Sequence, residues 1–177
     1  MKIILTQINR NPANNKGFTI IETLVAITIL MISIAGPLTI AHKGLLTAIQ
    51  ARDQVTASYL AQDAMEYVKN IRDNNLLNPS PTFWLNNFGI CTPTSRCRVD
   101  TLSRGNIPSS CDDTTCVLYK DNNGYGHSGA GNTPFSRYFY LENITADEAT
   151  LVVKVSWKSG TIDNLVTYKS EIFNVLK

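Results

Sequence analysis

The sequence predicts an α+β protein in which one long N-terminal helix, apolar first and amphipathic afterwards, packs against a C-terminal antiparallel β-sheet. Three observations carry this reading. From Phe18 to Ala41 the chain is nearly continuous Ile, Leu, Val and Ala, with Glu22 as its only charge. Beyond that run, apolar residues recur at helical spacing as far as about Ile71. Three segments after Arg137 are rich in Tyr, Phe, Val and Ile and are separated by turn-forming residues.

The chain opens with a leader, residues 1–17, holding Lys2, Arg10 and Lys16 and no acid. The apolar run that follows exceeds the ~20 residues needed to span a bilayer. Positive charge ahead of a first apolar helix keeps that end in the cytoplasm and sends the rest outward. A secretory signal would place a small-residue cleavage site after the apolar core. Ser33-Ile34-Ala35 lies too deep in the run and is followed by Gly36-Pro37, so residues 18–41 read as a retained anchor. Glu22 is anomalous there, because a carboxylate at membrane depth costs roughly 2.5–3.5 kcal/mol at the helix centre and less near the interface. It needs a partner.

The segment Lys16-Gly17-Phe18-Thr19-Ile20-Ile21-Glu22-Thr23-Leu24-Val25-Ala26 resembles the N-terminal signal of type IV prepilins and type II secretion pseudopilins. The resemblance implies that a prepilin peptidase/methyltransferase cuts between Gly17 and Phe18 on the cytoplasmic side and methylates the new Phe18 amine. It implies an inner-membrane assembly platform and other pilin subunits as further partners, in a homo- or hetero-oligomeric filament. A single-pass cytoplasmic-membrane precursor would then become part of an extracellular filament or a pseudopilus. The residues support this on physical grounds. Gly17 lacks a Cβ and accepts the extended backbone a protease cleft demands. Cutting there creates a cation one helical turn from Glu22, so Glu22 of one subunit can meet Phe18 of a neighbour, and a buried charge left unpaired costs about 3–5 kcal/mol.

Gly36 and Pro37 sit inside the span, where proline removes a backbone donor, so a kink or a locally melted segment is expected. After Ala41, Ile49, Thr56, Leu60, Ala64, Tyr67 and Ile71 form one face, with Arg52, Gln54, Gln62, Glu66, Lys69 and Asn70 on the other. One helix is therefore expected over 18–73, membrane-spanning at about 18–41, ending at Asp73-Asn74-Asn75 ahead of Pro79 and Pro81. Its amphipathic part should cover the sheet. A dimeric coiled coil is the alternative use of this stripe, although no heptad is sustained.

Residues 74–136 read as a loop-rich, cysteine-containing region. Within it Phe83-Trp84-Leu85 should pack on the helix, and Cys116 to Lys120 reads as a short strand entering the turn Asp121-Asn122-Asn123-Gly124. That turn has too few carboxylates for a calcium loop. The sheet is expected over 137–177, as a meander of Arg137–Ile144, Ala149–Trp157 and Leu165–Val175. Cys91, Cys97, Cys111 and Cys116 all fall outside the expected helix and sheet. An even number of cysteines outside the cytoplasm indicates disulfides. Short loops favour Cys91 with Cys97 and Cys111 with Cys116 among the three possible pairings. A zinc site is the rival, and its usual two-residue spacing is missing.

The net charge of +2 is well mixed, which argues against a nucleic-acid partner. Arg96, Arg98 and Arg104 make only a small local excess. The two histidines, His42 and His127, belong to no catalytic or metal-binding motif, so no enzyme activity, catalytic residue, metal or cofactor is expected. A membrane-anchored adhesin or lectin-like domain is the alternative to a filament subunit. Its natural site would be Gly124 to Gly131 with Tyr125 and Tyr138.

Overall fold

The computed structural model describes residues 17–78, 83–102 and 107–175. The leader cations Lys2, Arg10 and Lys16, the prolines Pro79 and Pro81, and Arg104 lie outside the described residues. The chain divides into two compact units, Met1–Thr47 and Ala48–Lys177. Helix α1, Ile20–Leu77, contributes its first part to one and its second part to the other.

α1 starts two residues later than the sequence suggests because Thr19 caps it. Its hydroxyl accepts from the Glu22 amide at 3.3 Å and its carbonyl from the Thr23 amide at 3.2 Å. The helix ends four residues beyond the expected Asp73. Asn75, read as a stop signal, turns its amide onto the carbonyls of Trp84 (3.2 Å) and Asn86 (2.8 Å), tying the last turn to the following loop. Gly36 and Pro37 are helical without interruption, so the chain is not melted there; a proline inside a helix costs one hydrogen bond and can be carried by the turns on either side.

In the second unit, strands β1 (Cys97–Arg98), β2 (Ser109–Ser110), β3 (Val117–Asp121), β4 (Gly124–Gly126), β5 (Gly131–Glu142), β6 (Glu148–Ser159) and β7 (Ile162–Phe173) form one antiparallel sheet. β6 lies between β7 and β5. The far edge of β5 is shared, with β3 and β4 along its first half and β1 and β2 near Phe139. The result is an α+β architecture with a long N-terminal helix and a C-terminal antiparallel sheet.

The sheet begins earlier than residue 137. β5 starts at Gly131, in a stretch whose Asn, Thr and Pro suggest a loop. Gly131 is required there, because a Cβ would sit 2.3 Å from the Lys120 carbonyl on β3. Cys97 also lies in β1 of the sheet, contrary to the expectation that every cysteine would fall outside the helix and the sheet. The β6–β7 hairpin turns through Gly160 at φ 65, a left-handed position glycine takes without strain.

Alternation along β5 and β6 buries Phe135, Phe139, Leu141, Leu151, Val153, Val155 and Trp157. Opposite them α1 offers Ala57, Leu60, Ala61, Ala64 and Val68, with Tyr67 and Ile71 at the margin. The expected stripe is thus rotated toward small residues. Alanine lets the helix backbone approach the sheet, whereas Ile49 remains 37% exposed. Trp84, Leu85 and Phe88 complete the core and Phe83 does not; the Phe88 and Phe139 rings meet edge to face at 6.2 Å.

Candidate functional site

The residues singled out for processing and assembly stand at the start of α1. Phe18 is 77% exposed and Glu22 lies in the first turn, where the positive end of the helix dipole favours a carboxylate. Glu22 makes no ion pair among the described residues. Along the same helix every short hydroxyl folds back on its own backbone. Thr23 donates to the Ile20 carbonyl at 2.8 Å, Thr28 to Val25 at 2.8 Å, Ser33 to Ile29 at 2.7 Å and Thr39 to Ala35 at 2.8 Å. Apart from Glu22, this leaves an apolar exterior with its hydroxyls satisfied internally, as lipid or a helix bundle requires. By length and composition α1 can cross a membrane.

In the second unit the structure joins Cys91 to Cys97 and Cys111 to Cys116, with Cα separations of 5.2 and 5.3 Å. The first bridge closes a loop into β1, and the Cys91 carbonyl accepts from the Leu141 amide at 2.9 Å, fastening that loop to β5. The second closes the turn held by Asp112, whose Oδ1 accepts from the amides and hydroxyls of Thr114 and Thr115. These bonds hold the Asp112 carboxyl well below the usual carboxylate range.

Other expectations fare differently. Tyr125 and Tyr138, grouped in sequence as a candidate sugar site, are separated by the sheet. Tyr125 meets Phe135 edge to face at 6.1 Å on the helix side, while Tyr138 lies on the outer row of β5 under Arg96. Alternation explains this, since Tyr138 has the opposite parity to Phe135. Of the local arginines, Arg96 pairs with Asp113 at 2.6 Å and Arg98 donates to the Thr115 carbonyl at 2.9 Å.

Sequence reasoning missed a buried cation. Arg137 is 1% exposed, in the inward row of β5 between Phe135 and Phe139. Its Nη1 donates to the Leu60 carbonyl at 2.9 Å and to Asp63 Oδ2 at 2.8 Å, and its Nη2 donates to the Val99 carbonyl at 3.1 Å. One planar fork therefore ties α1, β5 and the segment after β1 together. Burial pulls the guanidinium below the ordinary arginine value and Asp63 pushes it back. The parity of Arg137 with its apolar neighbours was the available signal. His127 is half-buried nearby, with Nδ1–H donating to the Val117 carbonyl at 3.2 Å. Burial first, then Arg137 and Arg98, lower its pKa to about 4.

Among the described residues no group of three or more His, Cys, Asp or Glu is placed to hold a metal. Compared with known proteins, residues 12–36 match the model of the prokaryotic N-terminal methylation motif, which includes Gly17, Phe18 and Glu22. No curated protein and no solved structure matches the chain. The protein therefore carries the N-terminal methylation motif characteristic of type IV pilins and pseudopilins, joined to an apolar helix of the kind that anchors such precursors.

Proposed function

We propose that the protein is a structural subunit of a type IV pilus-like filament. It is inserted as a prepilin, cut after Gly17, N-methylated at Phe18 and assembled by packing of α1. The observation that carries this reading is the methylation motif at 12–36 overlying the start of an exposed apolar helix whose only charge before His42 and Lys43 is Glu22. Lipid accepts that surface before assembly and neighbouring helices accept it afterwards. Trimming supplies the amine that Glu22 lacks, and the pair selects the axial stagger between subunits, because every other register leaves a charge unpaired. In this role the protein is a building part and performs no catalysis.

Replacing Glu22 with Ala and measuring incorporation into surface filaments tests the proposal. Incorporation should fall at least tenfold while membrane insertion is retained, and unchanged incorporation would refute the pairing. Deleting the gene separates two machines: loss of surface filaments is expected, whereas intact filaments with loss of protein secretion would assign the subunit to a pseudopilus.

A further inference from the structure

Two adjoining hollows of about 530 and 580 Å³ lie between the second part of α1 and the β3–β4 hairpin, and both are lined by Thr56, Lys120 and Tyr125. Together they follow one side of α1 from Arg52 to Asp63, about 16 Å at ~1.5 Å per residue. That is the length of a short oligosaccharide rather than of a single sugar, and each volume falls within the ~300–1,000 Å³ of ligand clefts.

The chemistry of the lining narrows the ligand. Tyr59 stands on α1 with 67% of its surface open, an aromatic plane that its own domain leaves uncovered. Tyr125 faces the shared middle of the groove, with the Lys120 ammonium 5.3 Å above its ring centre. The acceptors are already held in place. Asp63 Oδ2 is fixed by Arg137 at 2.8 Å and by the Thr101 hydroxyl at 2.6 Å, and Asp53 is gripped by Arg52 at 2.9 Å. Both carboxylates are paired with guanidinium groups, and the Lys120 ammonium, which lines both hollows, pairs with no carboxylate among the described residues. The groove offers an aromatic plane beside polar groups, including Asn123. A sugar ring presents the complement, a C–H face with hydroxyls around its rim.

We propose that this groove binds an oligosaccharide, with Tyr59 as the stacking platform and Asp63 and Asn123 as hydroxyl partners. The site differs from the Tyr125–Tyr138 grouping considered from sequence, because Tyr138 lies across the sheet. It does not rest on the filament reading, and loss of assembly and loss of sugar binding are read separately.

The test is calorimetric titration of the full chain, held in a zwitterionic detergent free of sugar headgroups, with cellotriose, chitotriose and maltotriose and their monosaccharides. At least one trisaccharide should bind, and more tightly than its monosaccharide. Tyr59→Ala and Asn123→Ala should each weaken it about tenfold or more, with the melting of the domain unchanged, and Tyr138→Ala should leave it as it was. Absence of binding by all three trisaccharides would overturn the proposal, as would full binding by Tyr59→Ala. A Tyr59→Cys subunit that cross-links to its neighbour in assembled filaments would place protein in the groove and overturn it equally.

Discussion

Replacing Arg137 with Met keeps a long side chain in the core and removes the fork. Four groups lose a donor: the Leu60 and Val99 carbonyls, Asp63 Oδ2 and, at 3.4 Å, the Thr101 hydroxyl. The losses are unequal. Leu60 lies in mid-helix and retains its helical amide, and Asp63 is 49% exposed and can hydrate. The Val99 carbonyl is the main casualty, since leaving a buried polar group unsatisfied costs about 1–3 kcal/mol. Adding a fraction of a charged hydrogen bond for each of the others puts the total at about 2–4 kcal/mol. This exceeds what relief of burying a cation returns, because both terminal nitrogens of Arg137 are hydrogen-bonded, although its Nε is buried without a partner. For a domain of this size the melting temperature should fall by about 7–15 °C. Trp84 and Trp157, the only tryptophans, are both in the domain core, so their fluorescence during heating reports this unit without interference from the apolar part of α1. Arg137→Lys should do nearly as badly, since one ammonium cannot serve carbonyls on separate segments. A Met variant melting within about 2 °C of the parent would refute the idea that the fork braces the domain.

Further outcomes follow from the same structure. His127 titrates near 4 when folded and near 6.5 when unfolded, so the unfolded chain takes up its proton first as the pH falls. Stability should drop between those two values by at most about 3.4 kcal/mol at ~1.36 kcal/mol per unit, and denaturant midpoints for His127→Asn should show a shallower slope there. Each disulfide closes a short loop and contributes about 2 kcal/mol by loop entropy. On reduction, hydrogen exchange should accelerate around 91–97 and 109–116 while the β6–β7 amides stay protected; equal acceleration in β6 and β7 would contradict this.

Much of this architecture was legible because the main signals are periodic and uninterrupted. The run from Phe18 to Ala41 and the alternation Leu151, Val153, Val155, Trp157 each follow one element's spacing without competition. What escaped is what tertiary contacts decide. The two-residue strands β1 and β2 carry no local signal and exist because Cys97 pairs with both Ser110 and Phe139. The early part of β5 was hidden by Asn132, Thr133 and Pro134, which favour loops in isolation and are carried here by pairing with β3. Ala57 and Ala61 were overlooked because larger neighbours dominated the pattern, although small residues set how closely helix and sheet approach. The methylation motif was readable because it lies in consecutive residues. The groove beside α1 was not, because Tyr59, Asp63, Asn123 and Tyr125 meet only after folding.

The central claim is that trimming of the leader supplies Glu22 with its counter-charge. Intact-mass measurement of the protein recovered from cells that assemble it tests this most directly. A chain beginning at Phe18 and carrying one methyl group on its amine is expected, in the fraction that sediments with filaments. Protein of that fraction still bearing Gly17 and the residues before it would contradict the account.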